Sequence, residues 1–351
     1  DFTNNFFGGT APNCGGSPLT YGSASLQSYM YIIRVFQSSN IENTNITGNT
    51  IRNISFVTAP TGAATLWAGI MNDASASSGQ VYIDSNTIGS SSDTGSIQID
   101  FRSGTFGASI AGIQSAATRQ YITNNTIGSI SLFGGSTGSV VLRGISSLSN
   151  SVNNQSSSVE NNTVGSNSIA NSIRSQLTNA SIVGIRSVFG GSTFAVANVN
   201  INTIANLSDQ GTGTVNSNKG IEFAPLSPIY AYGLHTNTVR DISSSAANIT
   251  QTSSSAANLL TGISLSGTLT STSASHIYEN TVYNLNATNT GANNVAIRGI
   301  GQYSPITSIY FNSVRMNRIY GLTTQSTGTA PMIVGYHGYY APLYFYNNQI
   351  T

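Results

Sequence analysis

The chain keeps returning to one short pattern of apolar and polar positions: an apolar residue, two further residues, Asn, one residue, and a second apolar residue. It reads Ile46/Asn49/Ile51, Ile83/Asn86/Ile88, Ile122/Asn125/Ile127, Val159/Asn162/Val164, Val199/Asn202/Ile204, Leu234/Asn237/Val239, Ile277/Asn280/Val282, Ile309/Asn312/Val314 and Phe345/Asn348/Ile350. A further copy, Phe2/Asn5/Phe7, stands at the start. The 343 residues from Asn5 to Asn348 divide into nine intervals of about 38, a period typical of solenoids and arrays. Between the Asn copies lies a second motif: aliphatic, any residue, Gly, Ile. Its copies include Ile110/Gly112/Ile113, Leu142/Gly144/Ile145, Ile182/Gly184/Ile185, Leu260/Gly262/Ile263 and Ile297/Gly299/Ile300, with Ile32 in the glycine place of the first interval.

The spacing carries the geometry. Residues of equal parity share a face of a strand. Ile46 and Asn49 are three apart, so a straight strand would turn them to opposite faces. If every apolar residue faces inward, the chain bends between them. Asn tolerates the left-handed backbone of such a corner. The same parity break separates Leu142 from Ile145, where Gly supplies the bend. A third bend follows, because another apolar residue comes three after the motif at Ile54, Ile130, Leu207, Ile242 and Leu285. Short inward strands joined by corners, one circuit per repeat, predict an all-β chain: a single-domain parallel β-helix of about nine rungs over residues 1–351.

In such a coil each Asn lies about 4.8 Å from its counterpart on the next rung. Side-chain amides at that distance bond into a ladder, as stacked Asn residues do in cross-β assemblies. The expected ladder is Asn5, Asn49, Asn86, Asn125, Asn162, Asn202, Asn237, Asn280, Asn312 and Asn348. A leucine-rich repeat needs a shorter period and a Leu-rich consensus, and a propeller needs four strands per unit. A rung uses far fewer than 38 residues, so the Ser/Gly/Thr/Asn-rich stretches 89–107, 134–138, 151–158, 209–218 and 243–255 are assigned to loops.

These repeats resemble the parallel β-helix repeat family of the pectate-lyase-like superfamily over essentially the whole chain. They look most like the Asn-Thr-Ile and Gly-Ile repeats of secreted bacterial surface proteins, including those of Bacteroidota. The resemblance implies the fold, and with it a right-handed coil, which is the default of that family. It leaves activity open, since it spans polysaccharide lyases and hydrolases, tailspikes, adhesins and passenger domains.

Composition narrows the function classes. Only 7% of residues are charged, Lys219 is the sole lysine, and the formal net charge is +1. No basic stripe is visible, so nucleic acid is not an expected partner. A near-neutral surface provides little repulsion between molecules and favours association. No run of 18 apolar residues occurs, so no membrane span is expected. One cysteine, Cys14, allows no internal disulfide, and the composition fits a secreted bacterial protein.

Enzymes of this fold gather several carboxylates on one outward strip. The position two before each Asn is outward and reads Thr3, Thr47, Asp84, Thr123, Glu160, Asn200, His235, Tyr278, Tyr310 and Tyr346. It holds two acids, Asp84 and Glu160, two rungs and about 10 Å apart, near the upper edge for an inverting glycosidase. Without converging partners this reads as a solvated polar column, and no catalytic residue, cofactor site or metal site is expected. His235, His276 and His337 lack an acid-rich ligand set. Tyr278, Tyr310 and Tyr346 form an aromatic strip that suits sugar rings or simply stabilises the stack.

Solenoid ends are normally capped, because an open rung is a strand edge that templates further pairing. Both ends here read as uncapped, stop at nearly the same phase of the repeat, and are aromatic. Phe2, Phe6 and Phe7 lie at one end, and Tyr344, Phe345, Tyr346 and Ile350 at the other. The leading expectation is a non-enzymatic extracellular subunit at the bacterial surface that polymerises head to tail with itself, using those residues as the interface. The alternatives are a carbohydrate-binding or polysaccharide-degrading β-helix with surface glycans as partners, and a segment of a large adhesin.

Overall fold

Three parallel sheets wrap around one axis, and the chain visits them in the same order on every turn. The structure, a computed structural model, describes residues 1–37, 43–74, 79–151, 156–191, 196–213, 217–224, 231–246, 260–266, 275–290, 295–303, 312–328, 331–338 and 343–351. The third rung shows the circuit. Gln80–Asp84 lies in the first sheet, Thr87–Ile88 and Ile97–Phe101 in the second, and Ala108–Ala116 in the third. Arg119–Thr123 then returns to the first sheet one rung further on. Among the described residues the sheets hold ten, fifteen and nine strands, and their pairings are parallel. This is the parallel β-solenoid that the repeat predicts. Among the described residues the only helix is the short 3-10 turn Pro12–Cys14.

Register places equivalent motif residues directly over one another. Ile46, Ile83, Ile122, Val159, Val199, Leu234, Ile277 and Val314 form one inward column. Ile51, Ile88, Ile127, Val164, Ile204, Val239, Val282 and Ile319 form another. All sixteen are at most 2% exposed and belong to one hydrophobic cluster running from Ile33 to Ile319. At roughly 25 cal/mol per Å² of apolar surface, this interior column packing is the main stabilising contribution.

Both motif corners exist, but each is built differently from the sequence expectation. The left-handed residue of the first corner is the one before the ladder Asn, not the Asn itself. Positive φ occurs at Asn4, Gly48, Ser85, Asn124, Asn161, Ile201, Thr236, Glu279, Met316 and Asn347, one per rung. The Asn is thereby free to turn its amide inward. The glycines of the third sheet do not have positive φ. A Cβ on Gly144 would stand 2.3 Å from Val164 Cγ1 and 2.6 Å from the Gly184 carbonyl oxygen. Gly112, Gly184, Gly220, Gly262 and Gly299 meet the same two neighbours on their own rungs. Glycine is there to make room for the apolar residue two after the next Asn. Cα pairing skips it on each rung, as between Ala111/Arg143 and Ile113/Ile145, which records the bend.

Candidate functional site

The asparagine corner is a continuous hydrogen-bonded file. In each step the backbone N–H and the Nδ2 of one Asn both donate to the Oδ1 of the next, at 2.9–3.1 Å. The second Nδ2 proton points back to a carbonyl on the preceding rung, as from Asn125 to Ile83 O and from Asn162 to Ile122 O, both 2.8 Å. Each inner amide therefore clamps three rungs and fills both its donor and its acceptor capacity, which a 0–1% exposed polar group requires.

The ladder includes Asn317 where the sequence reading places Asn312. Two overlapping copies of the pattern exist there, Ile309/Asn312/Val314 and Val314/Asn317/Ile319. Register decides between them. Val314 pairs with Ile277, so it is the equivalent of the apolar residue three before Asn280, and Asn317 is the equivalent of Asn280. Asn312 opens the strand Asn312–Arg315 and pairs with Ser275 and Leu343. The other nine assigned Asn residues are in the file.

The ladder has a direction, so its two ends differ. Among the described residues no rung lies before Asn5 or beyond Asn348. The Oδ1 acceptor of Asn5 faces out of one end, and the backbone donor of Asn348 faces out of the other. Apolar side chains surround both. Phe2, Phe345 and Ile350 are 40–46% exposed, whereas their counterparts on inner rungs, such as Ile46 and Ile51, are fully covered, and Phe6, Tyr344 and Tyr346 are exposed beside them. Phe7 is half-buried.

On the outer face of the first sheet the expected column is present with one replacement. Arg315, not Tyr310, follows Tyr278 and precedes Tyr346. Tyr310 itself lies outside the described residues. His235 stacks on Tyr278 with ring centroids 4.6 Å apart and planes 16° apart. The Arg315 guanidinium sits 5.0 Å from the Tyr278 centroid and donates to Tyr346 Oη at 3.2 Å. Tyr278 thus shares its ring with neighbours along the axis and presents mainly an edge to solvent. Burial lowers the pKa of both His235 and His276, the latter also through Arg315.

Asp84 and Glu160 have different environments. Asp84 Oδ1 accepts from Thr123 Oγ1 at 2.6 Å and Asn124 Nδ2 at 2.7 Å, and Oδ2 accepts from Ser85 Oγ at 2.8 Å. Burial opposes its charge, but these donors hold its pKa below the ordinary value. Its oxygens are committed to neighbouring rungs, which suits a structural brace. Burial raises the pKa of Glu160, against hydrogen bonds from Ser158 and Asn200.

A further set escaped the sequence reading, which finds no basic stripe. Arg143, Arg186, Lys219 and Glu222 come together on the outer face of the third sheet. Arg143 and Lys219 both stand next to Val183 in register, and Arg186 pairs with Glu222. Both ionic contacts of Glu222 are to cations of this set: Arg186 Nε at 3.2 Å, and Lys219 Nζ. The residues share two fixed offsets from the repeated glycine, one before and two after, and only alignment on that glycine reveals the cluster.

Among the described residues no group of three His, Cys, Asp or Glu side chains is placed to hold a metal, and no helix is long and apolar enough to cross a membrane. No family model matches the chain, and neither a curated protein nor a solved structure is significantly similar to it.

Proposed function

We propose that the protein is an extracellular structural subunit whose two end faces stack head to tail into a surface filament. The observation that carries this is the match between the ends at the asparagine corner and the two strands that flank it. One end presents Phe2–Thr3, Phe6–Phe7, Leu19–Gly22 and Met30–Gln37. The other presents Leu343–Tyr346, Gln349–Ile350, residues 322–324 and Met332–Gly338. Continuing the register across a junction sets Phe345 on Phe2, Asn348 on Asn5 and Ile350 on Phe7. The outward donor of Asn348 then meets the outward acceptor of Asn5, and the two apolar columns that flank the ladder, ending in Phe345 and Ile350, continue through Phe2 and Phe7. Because donor and acceptor lie at opposite ends, two like ends are not complementary. The contact is heterologous and does not close, which makes a fibre.

The near-neutral surface supports association, and the single cysteine with a Ser/Thr/Asn-rich composition supports a secreted protein. Electron microscopy and light scattering over a concentration series test the reading. Filaments about one solenoid wide are expected. Phe345→Arg and Phe2→Arg each block one end, so either variant alone stays monomeric while an equimolar mixture forms a dimer with one junction. Wild-type protein that is monomeric at every concentration overturns the proposal and favours the segment of a long adhesin, whose end rungs are covered by its own chain. Labelling of intact cells with an antibody tests the surface location.

A further inference from the structure

The basic cluster on the third sheet borders a groove of about 550 Å³, within the range of organic ligand sites. The groove crosses the strands Ala64–Ala74, Ala108–Ala116 and Val140–Ser151 and reaches Arg186 on Ala180–Gly191. Its lining includes Ala64, Ser109, Gln114, Ser146, Arg143 and Arg186.

The electrostatics there are incomplete. Arg186 and Lys219 both pair with the carboxylate of Glu222, and Arg143, on the strand before Arg186, has no ion-pair partner among the described residues. Arg143 makes a hydrogen bond through Nη1 to Ser109 Oγ, while its Nε is buried without a hydrogen-bond partner. Burial and repulsion from Arg186 lower the Arg143 pKa, offset in part by Glu222. Glu222, despite its burial, is held below the ordinary value by Lys219, Arg186 and Arg143. A half-buried lysine relieves such an excess by losing its proton, but arginine stays charged. The surplus positive charge on this face favours a bound anion.

We infer that this groove binds an oxyanion, a carboxylate or sulfate group, between Arg143 and Arg186. The guanidinium fork matches the paired oxygens of such a group. Arg143 Nε is the donor left for it, and the Ser146 hydroxyl, directly beneath Arg186 in register, lines the same space. The group arrives as a free ion or as the acid end of a larger hydroxylated molecule, whose remainder takes the space beside Ser109 and Gln114.

Calorimetric titration at constant ionic strength, with chloride as reference, tests this using sulfate, acetate and gluconate. Saturable binding of at least one is expected, weakened about tenfold or more in Arg143→Gln and Arg186→Gln. Gluconate binding more tightly than acetate identifies an organic acid, and equal affinity identifies a free ion. Circular dichroism verifies that each variant is folded. Should Arg143→Gln not fold, Arg186→Gln and Ser146→Leu carry the test. Absence of saturable binding by all three ions, or wild-type affinity in the folded Arg143→Gln or Arg186→Gln protein, overturns the inference. The measurement reads the same on monomers and filaments, so it is independent of the assembly proposal.

Discussion

The asparagine corner and the glycine bend interrupt strand parity on the same rung, yet they are held by opposite means. The asparagine corner is held by what its side chain makes: bonds to the rungs on both sides, with left-handed strain passed to the preceding residue. The glycine bend is held by what its residue lacks, so that a branched neighbour fits against bare backbone. One is cooperative along the axis and sensitive to chemistry. The other is steric and local to its rung. Repetition alone does not reveal which kind of constraint a conserved spacing encodes.

The sharpest way to break the comparison is Asn162→Asp. The carboxylate loses the donors that reach Ile122 O and Asn202 Oδ1 and turns oxygen toward oxygen in a 1% exposed site. Chemical denaturation should show a loss of about 4 kcal/mol at pH 7, shrinking in acid as the carboxyl takes a proton. A loss independent of pH would mean that the corner is steric after all. Next, Asn317→Ala leaves the Asn280 N–H and amide without their acceptor and should cost about 3 kcal/mol, by the same measurement. A negligible cost would return the ladder position to Asn312.

Gly144→Ala tests the steric corner. Its new Cβ must displace Val164, and overpacking of this kind costs about 1–3 kcal/mol regardless of pH. Ile201→Asn goes the other way. Ile201 is β-branched, at φ 59° and 51% exposed, so relief of its left-handed strain should raise stability by about 1 kcal/mol in the same denaturation assay.

The smallest effects come from titration. Asp84 and Glu222 have lowered folded values, so their contribution is present above their ordinary range near pH 4 and is lost as pH falls through the lowered values. His235 and His276, also lowered, favour folding while neutral, and that contribution declines as pH drops below about 6.5. Glu160 has the opposite sign: its raised value means that ionisation opposes folding, so Glu160→Gln should raise the Tm slightly at pH 7 and leave it unchanged at pH 3. Thermal scans across pH 3–8 test all three signs.

The fold was legible because a solenoid writes its contacts as sequence period. Ile83 and Ile122 touch in space and are also neighbours in the repeat, so reading the chain in phase is nearly reading the structure. The same property hid Asn317. Two copies of the pattern share Val314, and composition cannot rank them, whereas the Val314/Ile277 register does. Tyr310 was drawn into the outward column by that one shift. The basic groove was hidden for a different reason, since its members lie on different rungs and none belongs to the motif that sets the phase.

The sequence by itself determined the parallel coil, its three bends per turn and nine of the ten ladder residues, because alternation and period act locally on every repeat. Only the tertiary structure decided which residue carries the left-handed strain, why glycine is required, where the ladder runs near its end, and which charges meet outside the third sheet. Those depend on a side chain's distance to the rung above or below, and a spacing along the chain specifies that a neighbour exists without specifying what it does.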